Sequence, residues 1–237
     1  MKLLGRKLFS DAALPGGDVL TPVLRKEVRS RCELRRADRF TLLAAAAAVK
    51  LGDEIGLTVP WDDATALLTV TAFGPHSTVF AALDDILDFP EDEFLPSKFS
   101  HSVHNAAAGY LCAALELHGP VFALNGMENS FYEALRFAGT ILQLAMARQV
   151  LLIGVEEHGL LPSRAPDFAP ERFRPGQCEG ALALLLEGGA GAGRFGRVTA
   201  APEPDREYRE QVVAFGVTRG TLAELAAAGP ESRIVWR

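Results

Sequence analysis

Short apolar runs, separated by stretches with helical spacing, dominate the pattern of hydrophobic and polar positions along the chain. A continuous apolar run of four to eight residues bounded by turn residues is typical of a strand buried on both faces. Such runs predict strands at Ala66–Phe73, Val121–Leu124, Val150–Val155 and Ala181–Leu186, and a last strand is predicted at Arg194–Ala200. Gly74-Pro75 and Asn125-Gly126 mark turns after two of them.

Helices are predicted between these strands, at Leu34–Leu51, Ser77–Ile86, Asn105–Leu117 and Ser130–Arg148. The first contains Ala44 to Ala48, a run of the best helix former, and the hydroxyl of Ser77 is predicted to cap the second. The Pro- and Arg-rich stretch Leu161–Gln177 is predicted to be a loop. After a polar link, helices are predicted near Tyr208–Phe215 and Thr221–Ala228.

The alternation of strands and helices predicts a layered α/β fold with a mostly parallel central sheet and flanking helices. The composition agrees with a globular protein, because 49% of the 237 residues are hydrophobic and 23% are charged. The formal net charge of −6 argues against nucleic acid as the main partner, which would need a basic face.

Charge is distributed unevenly along the chain. Residues 21–40 contain seven basic and three acidic side chains, whereas residues 84–93 contain six acidic and no basic ones. Two interpretations stay open. Both segments can be solvated faces, or the basic segment can meet an acidic partner such as an acyl carrier protein.

Cysteine number and spacing, together with hydropathy, indicate where in the cell the protein is expected. Cys32, Cys112 and Cys178 are odd in number, widely spaced and without a CxxC pair, which favours a reducing environment. Arg6 and Lys7 interrupt the apolar N-terminus, so it is not predicted to be a signal peptide. No run of 18 apolar residues predicts a membrane span, and we therefore expect a cytoplasmic protein.

Three short motifs do not carry the chemistry that their letters suggest. The GxGxxG string at 191–196 is predicted to be a turn, because it leads into a strand and not into the helix that a dinucleotide site needs. His101 and His104 offer two metal ligands without an obvious third. Glu156 and Glu157 are adjacent, so they point differently and form no paired-carboxylate site. Neither a cofactor nor a metal is expected.

The segment Phe99–Ala134 resembles the β-ketoacyl synthase family around its nucleophile. In that family an Asn-x-x-Ala-Gly helix leads through Gly-Pro and a strand to a turn that carries the catalytic cysteine, and a long helix follows. The matching positions are held here by Asn105, Ala108, Gly109, Gly119 and Pro120.

The resemblance extends beyond this segment. Arg35–Ala48 is similar to the family's early helix, and Glu179–Val198 is similar to the strands that close the first half of its fold. It therefore implies a thiolase-like fold of which residues 1–200 form the N-terminal, ketosynthase-type half, followed by a C-terminal extension at 201–237.

Two departures from the family argue against independent condensing activity. Glu128 stands where the resemblance places the cysteine. A helix start lowers a thiol pKa and suits a glutamate cap, but glutamate is a poor acyl carrier in this chemistry. The family's two catalytic histidines come from its second half, and no histidine follows His158 here. No catalytic residue is therefore assigned.

The resemblance instead implies a partner subunit. The pattern is similar to the half-size chain-length-factor subunits of aryl-polyene-type biosynthesis, and ketosynthases pair through the strand beside the nucleophile turn, here Val121–Leu124. An exposed apolar edge strand also needs a partner. The expected partner is a full-length ketosynthase in a heterodimer, with an acyl carrier protein involved indirectly. The predicted interface and acyl-tunnel residues are Phe122, Leu124, Glu128, Asn129 and Phe131.

Two alternatives stay open. The chain can be a thioester-handling enzyme of altered chemistry, such as a malonyl decarboxylase, thioesterase or acyltransferase. Its candidate groups are then His104, Cys112, Glu128 and Ser130. It can also be one half of a fold whose other half lies on a separate polypeptide.

Overall fold

A computed structural model describes residues 1–11, 14–90, 96–126, 129–170, 179–202, 212–214 and 217–236. Its helices are α1 (Pro22–Arg31), α2 (Arg39–Ile55), α3 (His76–Asp88), α4 (Pro96–His101), α5 (Ala106–Leu115), α6 (Ser130–Gln143), α7 (Leu160–Phe168) and α8 (Arg219–Ala227). Its strands are β1 (Lys2–Ser10), β2 (Gly17–Asp18), β3 (Thr65–Thr71), β4 (Val121–Asn125), β5 (Gln149–Glu156), β6 (Gly180–Glu187), β7 (Arg197–Ala200), β8 (Val212–Ala214), β9 (Val217–Thr218) and β10 (Arg233–Trp236).

One eight-stranded sheet organises the described part of the chain, in the order β10-β7-β1-β6-β5-β3-β4, with β2 beside β1. β3 is parallel to both β4 and β5, whereas β6 is antiparallel to both β5 and β1. Five strands, β1 to β5, therefore run in one direction, and β6, β7 and β10 run in the other. The predicted layered α/β fold with a mostly parallel sheet and flanking helices is confirmed.

The two faces of the sheet bury separate cores. Successive side chains of a strand point to opposite faces, so Leu67 packs with α2 and α5 while Ala66 and Leu68 pack with α6. On the first face Ala44 to Ala48 are fully buried. Their small side chains let the backbone of α2 lie close to β1 and β6. The predicted helix and its alanine stripe are thus confirmed, although the helix begins at Arg39 after the Asp38 cap and not at Leu34.

Strand β1 is an element that the sequence pattern did not predict, although it lies inside the sheet between β6 and β7. Arg6 and Lys7 hide its apolar pattern. The aliphatic stem of Lys7 is mostly covered, and its ammonium group pairs with Asp18 and Glu54 at the surface. The Arg6 guanidinium lies 4.2 Å from the centre of the Phe195 ring. Long basic side chains can therefore extend from a buried strand to solvent.

Three predictions about local structure are corrected. The first part of the predicted loop Leu161–Gln177 is helix α7, since a proline such as Pro162 is tolerated in a helix's first turn; residues 171–178 lie outside the described part. Ser77 does not cap α3, because the cap position is Pro75. In the predicted helix Tyr208–Phe215, the described residues Val212–Ala214 form a strand. The remaining residues of that range lie outside the described part.

The segment after residue 200 contributes to the same sheet. β10 pairs in parallel with β7, and Trp236 is fully buried on the α6 side of the sheet. Its indole stacks on Phe131 with ring centres 4.7 Å apart. The predicted helix near Thr221–Ala228 corresponds to α8. Within the described ranges, no helix has the length and apolar character that crossing a membrane requires.

Candidate functional site

The carboxyl ends of β3, β4 and β5 meet at one edge of the sheet, because these strands are parallel and adjacent. The turn after β4 is fixed there by a hydrogen bond of 3.1 Å from the Gly126 amide to the Thr71 carbonyl. Helix α6 begins directly after this turn, and the Glu133 amide donates to the Asn129 carbonyl over 2.9 Å. Strand β4 and helix α6 thus follow one another in the order that the resemblance implied, and residues 127 and 128 between them lie outside the described part.

The structure gathers four of the five predicted interface and tunnel residues around the junction of β4 and α6. Phe122 and Leu124 are half-buried against the α6-side core, and Asn129 is half-buried just before α6. Phe131 is fully buried. Glu128, the fifth, lies outside the described residues. Their role at an interface stays a prediction.

Strand β4 is the outer strand of the described sheet and pairs there with β3 alone. Phe122 meets Phe137 of α6 edge to face, with ring centres 4.9 Å apart. Val121 at the start of the strand is 44% exposed. An apolar strand with an open edge is a template for pairing with another chain.

The outward face of α6 is polar. Glu133, Arg136, Thr140 and Gln143 recur at spacings of three and four and are all exposed, whereas Leu135, Ala138 and Ile141 are fully buried on the opposite face. A helix enclosed between two sheets is apolar all round, and an amphipathic helix borders solvent. In this chain α6 is therefore an outer layer.

A buried carboxylate, Glu156 at the end of β5, organises the turn after β3. It accepts hydrogen bonds from the Phe73 amide at 3.3 Å, from the Thr71 hydroxyl at 3.0 Å and from the Ala72 amide. Burial raises the pKa of Glu156 to about 7, because it disfavours the charged carboxylate. The three hydrogen bonds act in the opposite direction but do not outweigh burial. The group therefore changes charge near neutral pH.

Glu157 turns the other way and caps α3, which Pro75 leaves without a side-chain cap. Its carboxylate accepts from the Ser77 amide at 2.7 Å and lies 3.4 Å from Nδ1 of the buried His76. That contact lacks hydrogen-bond geometry, and neither ring nitrogen has a partner among the described residues. Burial lowers the pKa of His76 and raises that of Glu157, so both neutral forms are favoured.

A third carboxylate joins this edge of the sheet to α2. Glu179 binds the Arg39 guanidinium, with Nε 2.7 Å from Oε2, and accepts from the His158 amide at 2.9 Å. Although burial opposes it, the pairing with Arg39 leaves the pKa of Glu179 below its usual value. Asp38 caps α2 through the Thr41 amide at 2.8 Å. The three glutamates thus hold backbone turns, a role the sequence pattern did not reveal.

We expect replacement of Glu156 by Gln to remove part of the pH dependence of stability. In the folded state the carboxyl pKa of Glu156 is about 7, above the ordinary glutamate value of 4.5. The folded protein therefore binds more protons than the unfolded chain between these two pH values. The unfolding free energy should therefore be greatest below that window and fall by about 3 kcal/mol as pH rises through it. Urea unfolding of wild type and Glu156→Gln between about pH 4.5 and 8 tests this.

Other groups at this edge titrate as well, so the comparison needs a control. The raised pKa of Glu157 acts in the same direction as that of Glu156, and the lowered pKa of His76 acts in the opposite one. Glu224→Gln, at an exposed position on α8, should keep the wild-type pH profile. Parallel profiles for wild type and Glu156→Gln would show that Glu156 does not titrate in this window.

The structure describes three of the four candidate groups of the enzyme alternative, namely His104, Cys112 and Ser130. Cys112 is half-buried in α5, and burial raises its pKa and disfavours the thiolate. Ser130 is the first residue of α6. His104 packs against Gly74, where an added Cβ would lie 2.5 Å from the imidazole Cδ2. Cys178, like Glu128, lies outside the described residues.

The dismissed motifs behave as turns and packing groups. The 191–196 loop closes with a hydrogen bond of 2.9 Å from the Gly193 amide to the Gly196 carbonyl. The carbonyls of Ala190 and Gly191, at the start of this loop, accept from Arg197. The loop leads into strand β7 and not into a helix, whose N-terminus a pyrophosphate needs. His101 stacks on Tyr110 with ring centres 5.4 Å apart. Over the described ranges, no group of three or more potential metal ligands occurs.

Comparison with known proteins agrees with this geometry. The family model of the β-ketoacyl synthase N-terminal domain matches residues 61–214. No curated protein sequence matches the chain. The solved ishigamide ketosynthase/chain length factor is similar, with a TM-score of 0.62 and 20% identity over 79% of this chain and 62% of that chain.

Two further solved structures share the fold. One is the ketosynthase ApeO in complex with its chain length factor ApeC from Xenorhabdus doucetiae, with a TM-score of 0.54 and 20% identity over 81% of each chain. The other is AntDE:AntF, a type II acyl-carrier protein in complex with its ketosynthase, with a TM-score of 0.62 and 15% identity over 78% of this chain and 61% of that chain. At these identities the likeness shows the thiolase-like fold. The chain spans less than two thirds of the ishigamide and AntDE:AntF chains.

Proposed function

The chain belongs to the β-ketoacyl synthase family, matching its N-terminal domain, and we propose that it is a non-catalytic partner subunit that pairs with a ketosynthase. In this proposal it acts like a chain length factor and shapes the acyl tunnel of its partner, in fatty-acid or polyketide-type biosynthesis of the aryl-polyene kind. The observation that carries the proposal is the open apolar edge of β4 beside the turn that leads into α6.

The backbone of β4 is arranged to accept a second chain. In a parallel ladder the residues of one strand alternate, so that every second residue directs both its N–H and its C=O toward the neighbouring strand. The Pro120 carbonyl accepts from Leu67, and the Gly126 amide donates to Thr71. By this alternation Phe122 and Leu124 also bond to β3, and the backbone groups of Val121, Ala123 and Asn125 face the open edge.

The polar face of α6 and the packing of β10 agree with a subunit that works without a second α/β half. In the described residues β10 and its Trp236 cover part of the core beside Phe131, and α6 presents a polar face. The face that a second α/β half would cover therefore has surface character.

The tunnel-shaping part of the proposal places Phe122, Leu124, Glu128, Asn129 and Phe131 near the partner's growing acyl chain. The four described ones lie on β4, directly before α6 and at the start of α6. Phe122 is already braced by Phe137. Bulk at this junction would limit the length of the chain that the partner can extend, without any bond being made or broken by this subunit.

Co-expression with a full-length ketosynthase from the same genome tests this function. We expect the two chains to co-elute in size-exclusion chromatography as a 1:1 complex, and we expect product chain lengths to change when this subunit is omitted. Separate elution with unchanged product lengths would contradict the proposal. Turnover of malonyl or acyl thioesters by the isolated chain, lost in Glu128→Ala, would favour the thioester-handling alternative instead.

A further inference from the structure

A basic groove lies between helix α1 and the start of α2, away from the junction of β4 and α6. It has a volume of about 360 Å³ and is lined by Pro22, Arg25, Lys26, Arg29, Arg39 and Leu42. Four of these six residues are cationic and none is acidic. The chain has a net charge of −6, so a groove lined by four cations differs from the rest of its charge distribution.

Intramolecular contacts neutralise only part of this charge. Arg39 is paired with Glu179, and Arg29 donates to the Ala37 carbonyl at 3.2 Å, a bond that leaves its charge in place. Nε of Arg25 is buried and has no hydrogen-bond partner among the described residues. Nε is therefore not bonded to any carboxylate of the described chain, and a bound anion would balance the Arg25 charge.

The position of Arg25 on α1 also favours a bound anion. Arg25 lies in the first turns of the helix, where the macrodipole is positive and a cation is unfavourable. No acidic residue occurs in the first turn, and only the Thr21 hydroxyl, which accepts from the Leu24 amide at 3.2 Å, caps it. An anion bound in the groove would offset the repulsion between the Arg25 charge and the positive end of the α1 dipole.

We propose that this groove binds a phosphoryl group. Arg25 and Arg29 are four residues apart and therefore lie on the same face of α1. Guanidinium groups form paired, charge-assisted hydrogen bonds to phosphate oxygens. A phosphate dianion balances the groove cations that have no carboxylate partner among the described residues better than a single carboxylate does. The ligand is either free phosphate or a phosphate monoester of a small molecule.

Isothermal titration with inorganic phosphate and with methyl phosphate, at constant ionic strength, tests the site on the full chain. We expect saturable binding, and Arg25→Gln/Arg29→Gln should weaken it at least about tenfold through the loss of charge-assisted bonds. Arg164→Gln removes an exposed charge from α7 and should leave affinity within about twofold. Binding of both ligands would show that the site accepts esters, and binding of phosphate alone would identify the free ion.

Three results would overturn the proposal: no saturable binding, an equal heat from chloride at matched ionic strength, or the same loss in Arg164→Gln as in the double variant. Because Arg29 also bonds to the Ala37 carbonyl, the double variant can lose structure. Circular dichroism checks this, and Arg25→Gln alone, whose Nε makes no intramolecular bond in the described structure, then serves as the test variant.

Discussion

Ala123→Pro should abolish pairing with the ketosynthase while leaving the fold of this chain intact. Ala123 is at the centre of β4, and the ladder alternation directs its backbone N–H to the open edge and not to β3. Proline removes that donor and places ring carbons between the two strands that would meet. We expect the dissociation constant of the complex to rise at least ~100-fold, as measured by size-exclusion chromatography and biolayer interferometry.

Ala123→Thr is the matched control, because it adds comparable bulk and favours strand conformation but keeps the N–H group. It should retain the complex, and both variants should unfold at nearly the wild-type temperature. Phe122→Pro provides the converse control, since the Phe122 amide is assigned to the internal ladder with β3. It should destabilise the isolated chain. Normal pairing by a folded Ala123→Pro variant would show that the interface lies elsewhere.

How far the sequence predicts this fold depends on whether a pattern is local. The strands at Ala66–Phe73 and Val150–Val155 and the alanine-rich helix were predicted because their periodicity is complete within one segment. Strand β1 was missed because Arg6 and Lys7 interrupt its apolar pattern, and because its register shifts between Leu3 and Gly5. Its place in the sheet follows from pairing with β6, which is distant in sequence.

The candidate site shows the same limit. The turn between β4 and α6 could be predicted from the order of Gly119-Pro120, a short strand and a long amphipathic helix. The roles of Glu156 and Glu157 could not, because each carboxylate caps backbone amides more than 75 residues earlier in the chain, at Phe73 and Ser77. Ser77 has the residue type of a cap, yet the tertiary partner Glu157 performs that function.

The extension after residue 200 also makes a long-range contact, between Trp236 and Phe131. The contribution of this contact to stability can be measured. Trp236→Ala should reduce the unfolding free energy by about 3–5 kcal/mol, since it removes a fully buried indole that stacks on Phe131. The cavity would open beside the start of α6, so the variant should also weaken binding to the ketosynthase. Urea unfolding and the pairing assay measure the two effects.

Two variants separate packing from other effects of the change. Val235→Ala alters the neighbouring side chain, which is 43% exposed, and should cost less than about 1 kcal/mol. Trp236→Phe keeps an aromatic ring on Phe131 and removes a buried Nε1 that has no hydrogen-bond partner among the described residues, so it should recover most of the lost stability. If Trp236→Ala lowers the unfolding free energy no more than Val235→Ala does, β10 does not stabilise the core. Residues 201–237 would then be dispensable for the stability of the ketosynthase-type half.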